Sequence, residues 1–274
     1  MTISYKLDGI PTVYYFNLDI DTDRRSYMEE QFDLYGIKDY VRISGSKFDA
    51  KDIDSWQHIL VGNYKEDHRY VVANFISHID FFKWWLENTE EDCLIIMEDD
   101  YDLSLIDHWH FTWKQFVDHL PANWDCIQLG YEHPEYIIFC LHIKPPLDQL
   151  FGPCMLNRHF VKKLVNLYYK DGMFFLNKRL GTSKEFTKPC PYSVDTAIIN
   201  DGVTYRVPLI TTNFDLCRPD RKKILNWHAN VANTYHYWWT YKKNHFDLED
   251  FFSYAHSNID KMVQPVKNYS ELFT

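Results

Sequence analysis

Three consecutive carboxylates, Glu98, Asp99 and Asp100, follow the apolar run Leu94-Ile95-Ile96-Met97, and Asp102 adds a fourth acid two positions on. Like charges this close repel, and they stay ionised together at low cost only in water or beside a cation. Side chains alternate along an extended segment, so Glu98 and Asp100 are expected on one face, with Asp99 turned away. Such an acidic-x-acidic pair can grip a hard divalent cation through oxygen and leave positions for water and phosphate. Without a ligand, the same run is a solvated strand end. The acids alone do not choose between phosphoryl-transfer, nuclease and sugar-transfer chemistry.

The elements that must position these acids read as a layered α/β protein. "TVYYFNL", residues 12–18, is a β-branched and aromatic run that ends in Asn17-Leu18-Asp19. A helical spacing follows through Tyr27, Met28 and Phe32, with Gly36 as its stop, and "YVRIS" at 40–44 reads as a second strand. Strand, helix and strand in so short a span make a βαβ unit. The clearest helix covers 67–88, where Phe75, Ile79, Phe82 and Leu86 form an apolar stripe with Asn74, His78 and Trp85 along one edge. "CLIIMEDD" then reads as a buried central strand, and in open α/β sheets ligands sit at the carboxyl ends of strands. Further on, a helix is expected near 108–119, strands at 124–130, 136–143 and in "VTYRVPLI", and helices at 157–169 and in "VDTAIIN". Residues 171–192 read as a long loop. The tail from 226 to 258 is the most aromatic zone, and residues 226–274 are expected as a helical appendage packed on a 1–225 domain. It is also a candidate acceptor platform or homodimer interface, or simply core.

Composition narrows the function classes. At 274 residues the chain can bury a sizeable core. A formal charge of −10 argues against a nucleic-acid partner and means an anionic ligand needs local help from a metal or from arginine and lysine. No 18-residue apolar run is present, and the N-terminus lacks a signal pattern, so a soluble cytoplasmic protein without a transmembrane segment is expected. The six cysteines are scattered with no CxxC pair and are expected reduced.

The order of segments resembles glycosyltransferase family 25, the group of lipooligosaccharide sugar transferases and collagen galactosyltransferases. The family's "INLxxxxxR" is matched by Phe16-Asn17-Leu18-Asp19 followed by Arg24-Arg25. Its Gly-Ile turn and Arg-bearing second strand are matched by Gly36-Ile37 and "VRISGSKFDA". Its "GCxxSHxxxW" helix is similar to "VVANFISHIDFFKWW", which keeps Ser77-His78 but has Ala73-Asn74 in place of Gly-Cys. Its "LILEDD" and "DWDxxxLG" strands are similar to "LIIMEDD" and "NWDCIQLG". The resemblance runs over about residues 12–215, with a weak third quarter around "LFGPCMLNRHFVKKLV" and "PYSVDTAI".

The resemblance implies a GT-A-type, Rossmann-like fold whose mixed, mostly parallel sheet is flanked by helices. It implies inverting transfer of a sugar from a nucleotide diphosphate, a UDP-sugar first among them, to a glycan or glycoprotein hydroxyl. Mn²⁺ or Mg²⁺ would be held by Asp100, with Glu98 as a second ligand or a contact to ribose or sugar, and a late histidine, His228, is a candidate to complete the shell. Asn17 and Asp19 are candidate nucleotide contacts or helix caps. Arg24 and Arg25 could each present a fork to the diphosphate or lie on the surface. Ser77, His78 and Asp99 are further donor-site candidates, with a core role for His78 and a structural strand-end role for Asp99 as the alternatives, and Asp49 is a candidate base or ribose contact. Asp195 is the candidate general base, or an N-terminal helix acid. A non-catalytic carbohydrate- or nucleotide-binding protein on the same fold is the competing reading. A metal-dependent phosphoesterase is the third and weakest reading.

Overall fold

The computed structural model describes residues 3–133, 136–145, 152–176, 193–216, 226–242, 248–252 and 262–263. In chain order its main elements are β1 (Val13–Asn17), α1 (Thr22–Tyr35), β2 (Tyr40–Ser44), α2 (Arg69–Asn88) and β3 (Cys93–Glu98). They continue with β4 (Cys126–Gln128), β5 (His142–Ile143), β6 (Cys154–Asn157), α3 (Arg158–Tyr168), α4 (Val194–Asn200), β7 (Thr204–Arg206) and α5 (Asn226–Tyr237).

The seven strands form one sheet in the order β2-β1-β3-β6-β4-β7-β5. Pairs β1–β2, β1–β3 and β4–β7 are parallel; β3–β6, β4–β6 and β5–β7 are antiparallel. The expectation of a mostly parallel sheet is therefore corrected: the pairings divide evenly. Five strands still point the same way, and β6 runs back between β3 and β4. It leads directly into α3, whose first turn is capped by the Asn157 side chain accepting from the Phe160 N–H at 2.8 Å.

Period-two alternation divides the core into two layers. Val13, Tyr15, Ile95, Met97, Ile127 and Met155 face α1 and α5. Tyr14, Phe16, Leu94, Ile96, Cys126 and Cys154 face α2, α3 and α4. In α2 the stripe expected from spacing is present, with Phe75, Ile79 and Phe82 fully buried; each such side chain contributes about 2 kcal/mol. Gly36 ends α1 at φ 71°, a left-handed cap that glycine adopts without strain.

Several expected elements are shorter. The 108–119 helix is a capped turn of helix at Trp113–Asp118, and the 136–143 strand splits into Ile137–Ile138 and β5. Met173–Phe175 forms a strand inside the expected 171–192 loop, pairing with Leu60–Val61; residues 177–192 lie outside the described residues. Four aromatics of the tail are core, Tyr235, Trp239, Phe251 and Phe252, which pack in the same layer as Tyr15 and Phe32, while Tyr237 and Trp238 are half-buried and Tyr241 is exposed. Tyr235 holds the backbone of Tyr131, and the Trp239 indole donates to the Pro208 carbonyl at 2.7 Å. No disulfide joins Cys93, Cys126, Cys140 or Cys154. No described helix is long and apolar enough to cross a membrane.

Candidate functional site

At the carboxyl edge of the sheet, β1 and β3 lie side by side, with Phe16 opposite Glu98. The strand ends at Glu98, and residues 99–100 form a turn before the short Tyr101–Asp102 strand. Extended alternation therefore stops one residue before it would sort the acids. The expectation that Asp99 turns away from the others is corrected for that reason.

The turn makes Asp99 the most connected of the three. Its carboxylate accepts from Asn17 Nδ2 at 2.6 Å and pairs with Arg24 at 2.7 Å. The same Arg24 nitrogen reaches Asp100 at 2.7 Å, while Glu98 accepts from Asn74 Nδ2 at 3.1 Å. Asn17 in turn accepts from Arg42 Nε at 2.9 Å and donates to the Asp21 carbonyl. Arg42 also pairs with Asp19, whose other oxygen accepts from Ser44 at 2.9 Å. Those bonds from Arg42 and Ser44 hold the Asp19 carboxyl below its ordinary value.

The acids outnumber their cation, and the electrostatics register it. Burial pushes Asp99 up to about 6; the Asp100 charge adds to this, and Arg24 and Asn17 oppose it. Burial followed by repulsion from Glu98 pushes Asp100 up to about 6 against the pull of Arg24. Arg24 Nε is buried and has no hydrogen-bond partner among the described residues. The site thus holds excess buried negative charge beside a guanidinium N–H with no acceptor. Such a site suits a divalent cation at Glu98 and Asp100 with an anion seated against Arg24.

The two arginines part company. Arg25 lies on the outer face of α1, paired with Glu29 at 2.9 Å in an i,i+4 bridge. Ser77 back-bonds to the Ala73 carbonyl at 2.7 Å. His78 is fully buried, bonded to the Asn74 carbonyl and stacked on Phe16 at 4.0 Å. Burial pushes its imidazole down to about 4, so it packs as a neutral ring behind the site. Asp49 caps the next turn by accepting from the Lys51 N–H at 2.8 Å. His228, on α5, contacts the Glu132 carboxylate beyond β4. Among the described residues no group of three His, Cys, Asp or Glu side chains assembles to hold a metal, so the shell of Glu98, Asp100 and His228 does not form as one ligand set. Asp195 lies on α4, and its side chain is outside the described residues.

Reading residues along the chain missed several contributors. Arg42 ties β2 to Asn17 and Asp19, and its place in a strand that ends beside β1 was the available signal. Gln31 is buried on α1 and bridges the Tyr101 carbonyl at 2.9 Å and the Leu103 N–H at 2.7 Å, fixing the backbone after the acids. Asn213 donates its N–H to the Asp100 carbonyl at 2.6 Å. Nothing local marks either residue.

Fold and site together define an α/β protein with a mixed sheet compatible with a Rossmann-like architecture and an acidic turn at the strand ends. No family model matches the chain, and no curated protein matches it. Among solved structures it is similar to one described as "Crystal Structure of A197 from STIV", with a TM-score of 0.34 and 11% identity over 74% of this chain and 84% of that one. A likeness at that level carries no argument about function.

Proposed function

We propose that the protein is a metal-dependent glycosyltransferase that moves a sugar from a nucleotide-diphosphate sugar, most simply a UDP-sugar, to a glycan or glycoprotein hydroxyl on a GT-A-type fold. The observation that carries the reading is the acidic turn itself, with two carboxyls pushed up to about 6 around a single arginine whose Nε lacks an acceptor. A hard cation needs only one or two protein carboxylates when phosphate oxygens complete its shell, so Glu98 and Asp100 suffice without His228. Bound there, the ion would neutralise charge developing on the leaving nucleoside diphosphate. Arg24 would donate its fork to the diphosphate, and Asn17 and Arg42 would keep the Asp99 carboxylate turned to Arg24. Asp195 remains the candidate base for the acceptor hydroxyl.

The test is a screen of nucleotide sugars with Mn²⁺, read by thermal shift and by release of nucleoside diphosphate. A donor at about 100 times its Kd stabilises the fold by about 2.7 kcal/mol. Asp100→Ala is expected to abolish both signals. A wild-type protein that neither shifts nor turns over with any donor overturns the proposal, and so does full activity in the variant.

A further inference from the structure

A groove of about 390 Å³ lies between the edge strand β2 and helix α2. One end meets the acidic site: Arg42 and Ser44 line the groove and also bind Asn17 and Asp19. From there the groove runs back beside the sheet, past Ser77 and Phe81, to Trp84. Trp84 lies ten residues beyond Asn74, the Glu98 partner, which is about 15 Å along a helix.

The lining sets the chemistry of the occupant. Each cation in the groove already has an acid: Arg42 has Asp19, Lys47 has Asp80, and Lys83 has Glu87 at 3.1 Å. No surplus charge is left for a nucleotide or an acidic peptide. Trp84 is 44% exposed although it sits in a concave site, and its ring is held by stacking on Phe81 at 6.2 Å and 27°. Its indole N–H has no hydrogen-bond partner among the described residues. A flat apolar face with one free donor, flanked by the neutralised Lys47–Asp80 and Lys83–Glu87 pairs, matches a pyranose ring, which offers C–H bonds on one face and hydroxyls around its edge.

We propose that this groove binds a neutral oligosaccharide, with a sugar ring stacked on Trp84 several residues from the unit that enters the acidic site. Calling that oligosaccharide the acceptor rests on the transferase reading; carbohydrate binding in the groove does not. The experiment is calorimetric titration of the full chain with neutral malto-, cello-, manno- and lacto-series oligosaccharides, without nucleotide or metal. At least one series is expected to bind. Trp84→Ala is expected to weaken it by about tenfold, and Trp84→Phe by less. Leu34→Ala, an exposed change on α1, serves as the control and is expected to leave binding intact. Absence of binding by every series overturns the proposal, as does equal binding by Trp84→Ala or displacement of the sugar by UDP. Trp84-dependent binding in a protein that turns over no donor would keep this groove and remove the transferase reading.

Discussion

Replacing Asp100 with Asn separates what the acidic turn costs from what it is for. Burial and then Glu98 push the Asp100 carboxyl from 3.8 to about 6 in the folded chain. Between those values the folded state binds more protons than the unfolded state. The stability Asp100 contributes is therefore complete below pH 3.8 and is lost as pH rises through about 6. A gap of about two pKa units corresponds to about 3 kcal/mol that ionised Asp100 costs at neutral pH. Arg24 already lies 2.7 Å away, so this cost remains after pairing. Asn keeps the shape and removes the charge, while Arg24 retains Asp99. Asp100→Asn is expected to be more stable than wild type at pH 7 by up to about 3 kcal/mol, and equal to it near pH 4. Urea unfolding with EDTA at the two pH values measures this. Adding Mn²⁺ and UDP should then stabilise the wild type and leave the variant unchanged. A variant less stable than wild type at pH 7 would refute the reasoning, because the Arg24 pair would then outweigh the burial of Asp100.

Three further changes probe the supports of the site. Arg24→Leu leaves Asp99 and Asp100 without their cation and is expected to cost about 3 kcal/mol at pH 8; the loss should be smaller at pH 5, where both carboxyls take up protons, and a loss independent of pH would contradict this. Gln31→Leu strands the Tyr101 carbonyl and the Leu103 N–H and is expected to cost about 2 kcal/mol, with faster amide exchange at 101–103; unchanged exchange would show that Gln31 does not fix that backbone. Gly130→Ala would place a Cβ 2.0 Å from the Ile210 carbonyl oxygen, so a loss of about 3 kcal/mol or failure to fold is expected, and an unchanged melting temperature would count against the close backbone crossing.

Much of the fold was legible along the chain where local signals agree. β1, α1 with its Gly36 cap, β2, α2 and β3 lie close to their expected spans, because apolar period and capping residues act over a few positions. Short elements were harder: β4, β5 and β7 hold two or three residues each and are defined by their neighbours in the sheet. The direction of β6 was likewise invisible, since an extended segment reads the same parallel or antiparallel.

The sequence by itself determined that four acids gather at the end of a buried strand and that an α/β sheet carries them. Composition and spacing suffice for that, because charge density and periodicity are properties of adjacent residues. Only the tertiary structure decided the partners. It turned Arg24 inward to Asp99 and Asp100 and left Arg25 with Glu29. It also sank His78 behind Phe16, sent His228 to Glu132 and buried Tyr235, Trp239, Phe251 and Phe252 of the aromatic tail. The physical reason these placements share is that a side chain's surroundings come from strands and helices far away in the chain. For Arg24 and Arg25, a helix also places neighbouring side chains about 100° apart, so adjacent identical residues meet different partners.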